Sequence, residues 1–293
     1  MTRRSFMPLA CVLVWLGGDQ LHAAVDVSAS RPVGKGAATV LRANAEPQDL
    51  PGDAPGDLLI HFHGAVDTIR QAVERAGIRA TVVVVNQPGL SAAYALPFRE
   101  DPDVFAFLLE LAGQPRNHSA DSSRPRWRHI TLSCFSAGYG AVREILKDPA
   151  ALGRVDTIVA ADSIYAGLED TAAEPGGRRV DSRDMAEFLA FAEAATRGET
   201  VFVVTHSAQP TPYASTTETA DYLLAGVGLA REVIDPAADE EFPLVSRVRR
   251  GGLVVMGFAG GSGPAHLFHL RSIDRWWEVA RRSEQAPSPD DDR

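Results

Sequence analysis

Short apolar runs and amphipathic stretches take turns along this chain. Leu58 to Phe62 is an apolar run. Val66, Ile69, Ala72, Val73 and Ala76 recur behind it at helical spacing, with Gly77 placed to cap that helix. Thr81 to Val85 is a β-branched run long enough for a buried strand. Asp101-Pro102-Asp103 predicts a helix start ahead of Val104, Phe105, Leu108 and Leu109, and Gly113 ends it. Residues 114–127 read as a polar loop, and His129 to Leu132 as a strand. A helix pattern runs on to Lys147 after a sharp small-residue turn. Val155 to Ala161 predicts the next strand, followed by a Gly-, Arg- and Glu-rich loop over 166–180. Met185, Phe188, Leu189 and Ala192 mark a helix, Thr200 to Thr205 a strand, and Ser215 to Gly226 a helix. Leu253 to Phe258 is the last strand, before a final helix from about Ala265 to Arg282.

Strands that alternate with helices predict an α/β fold, with a mostly parallel sheet covered by helices on both faces. The organisation follows from the same pattern. Residues 57–282 form one α/β domain, 25–56 are polar and irregular apart from a short strand near Ala38 to Arg42, and 283–293 are a disordered, solvated tail. The stretch 166–199 is long enough for a small lid but not for a large cap domain.

Residues 1–24 stand apart. Arg3 and Arg4 precede an apolar run from Phe6 to Leu16, and Ala23-Ala24 offers a small-residue cleavage site. This predicts a secretory signal peptide, hence export to the periplasm or the medium with no stable membrane anchor after cleavage. Cys11 lies inside the apolar run, so lipid attachment there is disfavoured. Cleavage leaves Cys134 as the single cysteine, which excludes an internal disulfide. The net charge of −9 argues against nucleic acid as a partner.

The chemistry concentrates in Cys134-Phe135-Ser136-Ala137-Gly138, a small-x-Ser-x-Gly turn between a buried strand and a helix that carries Gly140. Such a turn lifts a serine hydroxyl above the sheet edge, over a helix N-terminus that favours negative charge. Ser136 is therefore the candidate nucleophile, although a serine there can also simply cap a helix. His266 follows the glycine loop Gly260 to Ala265 and is the candidate base; His269 and His206 are the rivals. Asp162 ends the Val155–Ala161 strand and is the candidate acid. Glu218 and Asp221 are its rivals, but Ser215-Thr216-Thr217-Glu218 reads as a capping box. The oxyanion donors are expected at Ala137 and at Gly64 or Ala65. His63, Gln87, Tyr94, Tyr165 and His206 are expected to line a substrate pocket. His61 and His63 share one strand face, yet no nearby Asp or Cys completes a metal set, so neither a metal nor any other cofactor is expected.

Taken together, His63-Gly64 after a strand, the Cys134–Gly138 turn, and the order Ser136, Asp162, His266 resemble the α/β-hydrolase superfamily of serine esterases and lipases. The resemblance spans roughly residues 57–282. It implies a mostly parallel sheet of about eight strands and hydrolysis through an acyl-enzyme. Cys134 stands where the family's elbow has its first glycine, and Asp162 comes one strand earlier than the usual acid. The expectation is an exported serine hydrolase acting on a small-molecule carboxylic ester or related acyl bond. The competing readings are a peptidase or acyltransferase on the same fold, a non-catalytic ligand-binding protein, and a zinc hydrolase using His61 and His63.

Overall fold

In the computed structural model, residues 24–43, 56–114, 127–169, 179–237 and 239–285 are described. The expected signal peptide over 1–24 and the expected tail over 283–293 lie mostly outside them, as does the middle of the 166–180 loop; Ser283 and Glu284, at the start of that tail, are instead helical.

One sheet of ten strands organises the chain, where about eight were expected. Its centre is parallel and consists of β3 (Gly56–Phe62), β4 (Thr81–Asn86), β5 (Trp127–Phe135), β6 (Thr157–Ala161), β7 (Val201–His206) and β10 (Leu253–Phe258). The extra strands are antiparallel additions at the edges. β1 (Val25–Val33) and β2 (Gly36–Ala43) form a hairpin that pairs with β4. β9 (Leu244–Arg250) and the two-residue β8 (Glu232–Val233) finish the other edge. The full order is β1-β2-β4-β3-β5-β6-β7-β10-β9-β8.

The hairpin corrects the expectation that 25–56 is irregular. β1 buries only its two end residues, Val25 and Val33, so it carries no alternating pattern to read. Pairing with β2, whose Ala38, Val40 and Leu41 are buried, orders it.

Alternate side chains of the central strands feed two separate cores. On one face, Leu58, Ile60, Phe62, Val83 and Val85 pack with α3 (Val104–Gly113), α4 (Tyr139–Leu146), α6 (Ser182–Thr196) and α7 (Thr216–Gly226). On the other, Leu59, Val82 and Val84 pack with α1 (Val66–Ala76) and α9 (Ile273–Glu284), which supplies Trp276 and Trp277. The single C-terminal helix expected from Ala265 onward is broken at Ser272, so α8 (Gly263–Arg271) and α9 are separate. A further helix, α2 (Ser91–Glu100), follows β4.

Being parallel, β3, β5 and β6 all end at the same sheet edge. Just past each end stands a non-glycine residue with positive φ: His63 at 72°, Ser136 at 47° and Asp162 at 43°. These are the only three such residues among the described ones, and they follow neighbouring strands. Strain of this kind concentrates where a chain holds functional groups in place.

Candidate active site

Ser136 leaves β5 in the left-handed region and enters a single tight turn before α4. The turn is possible because its neighbours are small. A β-carbon on Gly138 would lie 2.2 Å from the carbonyl oxygen of Phe62, at the end of β3. One on Gly140 would lie 2.2 Å from the carbonyl oxygen of Ser91. Cys134 is fully buried in β5, with its sulfur 3.2 Å from Ser163 Oγ. Burial pushes its thiol up to about 12, so it stays protonated and acts as a small packing residue. Ser163 Oγ donates to the Ser136 carbonyl at 2.8 Å, which ties the turn to the end of β6.

Asp162 is completely buried. Its Oδ1 accepts from the Ser207 N–H at 2.8 Å and from Thr216 Oγ1; its Oδ2 accepts from Ser207 Oγ at 2.7 Å and from His266 Nδ1 at 2.7 Å. Burial is the largest single influence on this carboxyl and opposes its ionisation. The contact with His266, the charge His269 acquires in acid, and the Thr216 and Ser207 bonds outweigh it and bring the group down to about 2. An ionised carboxylate has no proton to give, so His266 Nδ1 must be the donor. Nε2 is then the basic nitrogen of a neutral ring. The ring also stacks on Phe135, centroid to centroid 4.5 Å, which fixes its plane.

His266 and Ser136 line one cleft of about 440 Å³, with Ala137 beside the serine. His266 thus meets Asp162 on one side and shares the cleft with Ser136 on the other. The rival residues are engaged elsewhere. His269 is buried against Thr205 Oγ1 at 2.7 Å, and burial lowers it to about 4. Glu218 forms the expected capping box with Ser215, and Asp221 pairs with Arg231.

No protein-family model matches the sequence, and no curated protein does. Among solved structures, a ferulic acid esterase matches with a TM-score of 0.50 at 11% identity, over 89% of this chain and 99% of the other. An esterase of Thermogutta terrifontis phosphonylated by cyclosarin matches with a TM-score of 0.46 at 11% identity, over 91% and 96% of the two chains. A poly(3-hydroxybutyrate) depolymerase from Bordetella parapertussis matches with a TM-score of 0.42 at 16% identity, over 84% and 87%. The chain has the α/β-hydrolase fold. The strand order and the first of these matches carry that conclusion.

Within this α/β-hydrolase fold several expected pocket residues sit elsewhere. Gln87 turns away from the cleft, and its Nε2 donates to the Val33 carbonyl at 2.6 Å, pinning the hairpin. Tyr94 is buried, and its hydroxyl meets His63 Nδ1 at 2.7 Å. His206 is buried against Thr217 Oγ1 at 2.9 Å and lowered to about 4 by burial. The His63 ring stacks on Phe135, centroid to centroid 5.8 Å, and does not line the cleft. Of the five, Tyr165 alone lines it. All five lie at or beyond the ends of strands, but side-chain direction is set by packing that no local pattern reveals.

The oxyanion expectation also needs correction. The Gly64 N–H already donates to Asn86 Oδ1 at 3.0 Å, and Asn86 Nδ2 returns a bond to the Gly64 carbonyl at 2.8 Å. Gly64 is therefore clamped and is not a free donor, which leaves Ala65 from that turn. The His61–His63 metal pair fails for a similar reason. His61 Nδ1 meets Ser133 Oγ at 2.9 Å and its Nε2 meets the His63 carbonyl at 3.2 Å, so both of its nitrogens are engaged. The groups that hold Asp162, Ser207 and Thr216, were missed. So were Arg143, Asp184, Gln209 and Tyr213 in the cleft, which come from three separate segments.

Proposed function

We propose that the protein is an exported serine hydrolase that cleaves a carboxylic ester through an acyl-enzyme on Ser136. The observation that carries this reading is the 2.7 Å contact of Asp162 with His266 Nδ1, in a ring that shares a cleft with a serine at φ 47°. Export rests on the signal pattern of residues 1–24. The choice of an ester draws on the ferulic acid esterase that shares the fold.

The steps follow from the tautomer. His266 Nε2 takes the proton of Ser136 Oγ as the oxygen bonds to the ester carbonyl carbon. The Ala137 N–H, with Ala65 as the second donor, stabilises the oxyanion. Asp162 remains ionised and stabilises the imidazolium without accepting its proton. When the carbon–oxygen bond to the alcohol breaks, His266 returns the proton to that oxygen. Water then attacks the acyl-enzyme with the same assistance, giving the acid and free Ser136.

Fluorophosphonate labelling of the mature protein tests this reading, run beside Ser136→Ala and His266→Ala. Labelling of wild type that disappears in both variants is the expected result. Undiminished labelling of Ser136→Ala overturns the nucleophile. A folded wild type that neither labels nor hydrolyses p-nitrophenyl acetate overturns the enzyme and returns weight to a binding protein.

A further inference from the structure

The cleft beyond Ser136 has a chemistry of its own. Arg143 Nη1 pairs with Asp184 Oδ1 at 2.8 Å, and Asp184 Oδ2 is fixed by the Gly167 N–H at 2.7 Å. The Arg143 guanidinium lies over the Tyr139 ring, 5.5 Å from its centroid. Tyr139, Tyr165 and Tyr213 form a continuous aromatic wall, with centroids 5.7 Å and then 5.4 Å apart. Tyr213 stands at the mouth and is 46% exposed. All of these residues line the same cleft as Ser136 and His266.

Each feature narrows the occupant. Asp184 cancels the charge of Arg143, so the site has no net attraction for an anion. A lining that includes an ion pair, Gln209 and Thr211 is a poor bed for a long alkyl chain, because those groups would lose water without replacement. A guanidinium beside a carboxylate instead presents a strong donor next to a strong acceptor. A hydroxyl, which both donates and accepts, fits that pair, and neighbouring hydroxyls on one ring fit it better. An aromatic wall suits the apolar face of such a ring.

We propose that this cleft binds the alcohol part of its ester as a saccharide ring, with hydroxyls on Arg143 and Asp184 and one ring face on Tyr213 and Tyr165. The substrate class is then an acylated sugar. The bond cut is the one described above, and the sugar leaves with the proton from His266. This inference rests on the esterase reading for its chemistry, but not for its binding.

The test compares an O-acetylated methyl glucopyranoside with p-nitrophenyl acetate, two acetyl esters that differ only in the alcohol. For Arg143→Met and Tyr213→Ala, the ratio of kcat/KM for the glucoside to that for the aryl ester should fall about tenfold, mainly through KM, the loss expected of one charge-assisted hydrogen bond or one stacking contact. Tyr213 is a surface position, so its variant keeps the test valid should Arg143→Met fail to fold. A ratio unchanged in both variants overturns the proposal. So does hydrolysis of the aryl ester with no turnover of the glucoside. Binding of the acetylated glucoside to Ser136→Ala, followed by saturation-transfer NMR, separates the two readings. Saccharide binding that Tyr213→Ala weakens upholds the subsite even where no hydrolysis occurs, and its absence overturns it.

Discussion

Ser207 grips Asp162 by both oxygens, its N–H on Oδ1 at 2.8 Å and its hydroxyl on Oδ2 at 2.7 Å. His266 shares that second oxygen at 2.7 Å. Ser207 therefore decides where the carboxylate sits relative to the imidazole. Ser207→Ala keeps the backbone bond and removes the hydroxyl. The loss of one hydrogen bond to a charged group, about 1.5–3 kcal/mol, should lower kcat by roughly tenfold to a hundredfold with little change in KM. Ser207→Thr, which restores a hydroxyl, should recover most of it. Steady-state kinetics on p-nitrophenyl acetate would show this, and equal rates for Ser207→Ala and wild type would remove Ser207 from the positioning of Asp162.

Asp162→Asn tests the same contact from the other side. An amide can donate a hydrogen bond to Nδ1, which would move the ring proton to Nε2 and leave no base facing Ser136. The expected fall in kcat is on the order of a thousandfold or more, by analogy with other serine triads. Folding should survive, since shape and size are kept. A fall below tenfold in a folded variant would mean that another group orients His266.

Gly138→Ala addresses the turn itself. The added carbon would sit 2.2 Å from the Phe62 carbonyl oxygen, and backbone on both sides leaves nothing flexible to move. A loss of at least about 2 kcal/mol is expected, with a lower Tm and slower fluorophosphonate labelling. Thermal melting beside labelling would check both, and a Tm within a degree of wild type would show that β3 and β5 can separate.

Much of this was legible because the central strands are parallel. Each reads as an apolar run, and each run ends at the edge where chemistry collects, so Ser136, Asp162 and His266 could be named from local context. The edges of the sheet were harder. β1 exposes most of its length, and β9 buries only Ser246 and Val248, so neither shows an apolar run. The cleft wall was hardest. Arg143 lies on α4, Asp184 on α6 and Tyr213 in the loop after β7, and nothing in any one segment announces the others. Gln87 and Tyr94 show the converse, since their positions suit a pocket while their side chains serve the scaffold.

A buried relay under the site offers a stability test. Trp277 Nε1 can only donate, and it does so to Ser133 Oγ at 2.9 Å. The Ser133 hydroxyl is then free to give its own proton to His61 Nδ1, which leaves His61 Nε2–H to donate to the His63 carbonyl. Ser133→Ala would leave the indole N–H and the imidazole Nδ1 buried without partners. The expected cost is about 2–4 kcal/mol from two unmet polar groups. Denaturant melts would measure it, and a loss below 0.5 kcal/mol would mean that water or a shifted ring replaces the serine.

The histidines predict how stability varies with pH. Burial lowers His61 to about 3, and His206 and His269 each to about 4, from an ordinary value of 6.5. Below pH 6.5 the unfolded chain takes up these protons while the folded one refuses them, so stability must fall with falling pH until about 4. Each histidine contributes a slope of about 1.4 kcal/mol per pH unit across that window. Asp162 extends the loss below pH 4, because its carboxyl, held to about 2, is protonated first in the unfolded chain. His129 works the other way. The hydrogen bond to Glu284 raises its pKa, so its contribution is complete below 6.5 and disappears as pH rises through the folded value. Tm should therefore peak somewhat above pH 6.5, where the three histidines' gain has levelled off, with a steep acid limb and a shallow alkaline one. Calorimetry from pH 4 to 8 would trace the curve, and His129→Gln should flatten the alkaline limb alone. A Tm that is level from pH 6.5 down to 4.5 would contradict the burial of three neutral imidazoles.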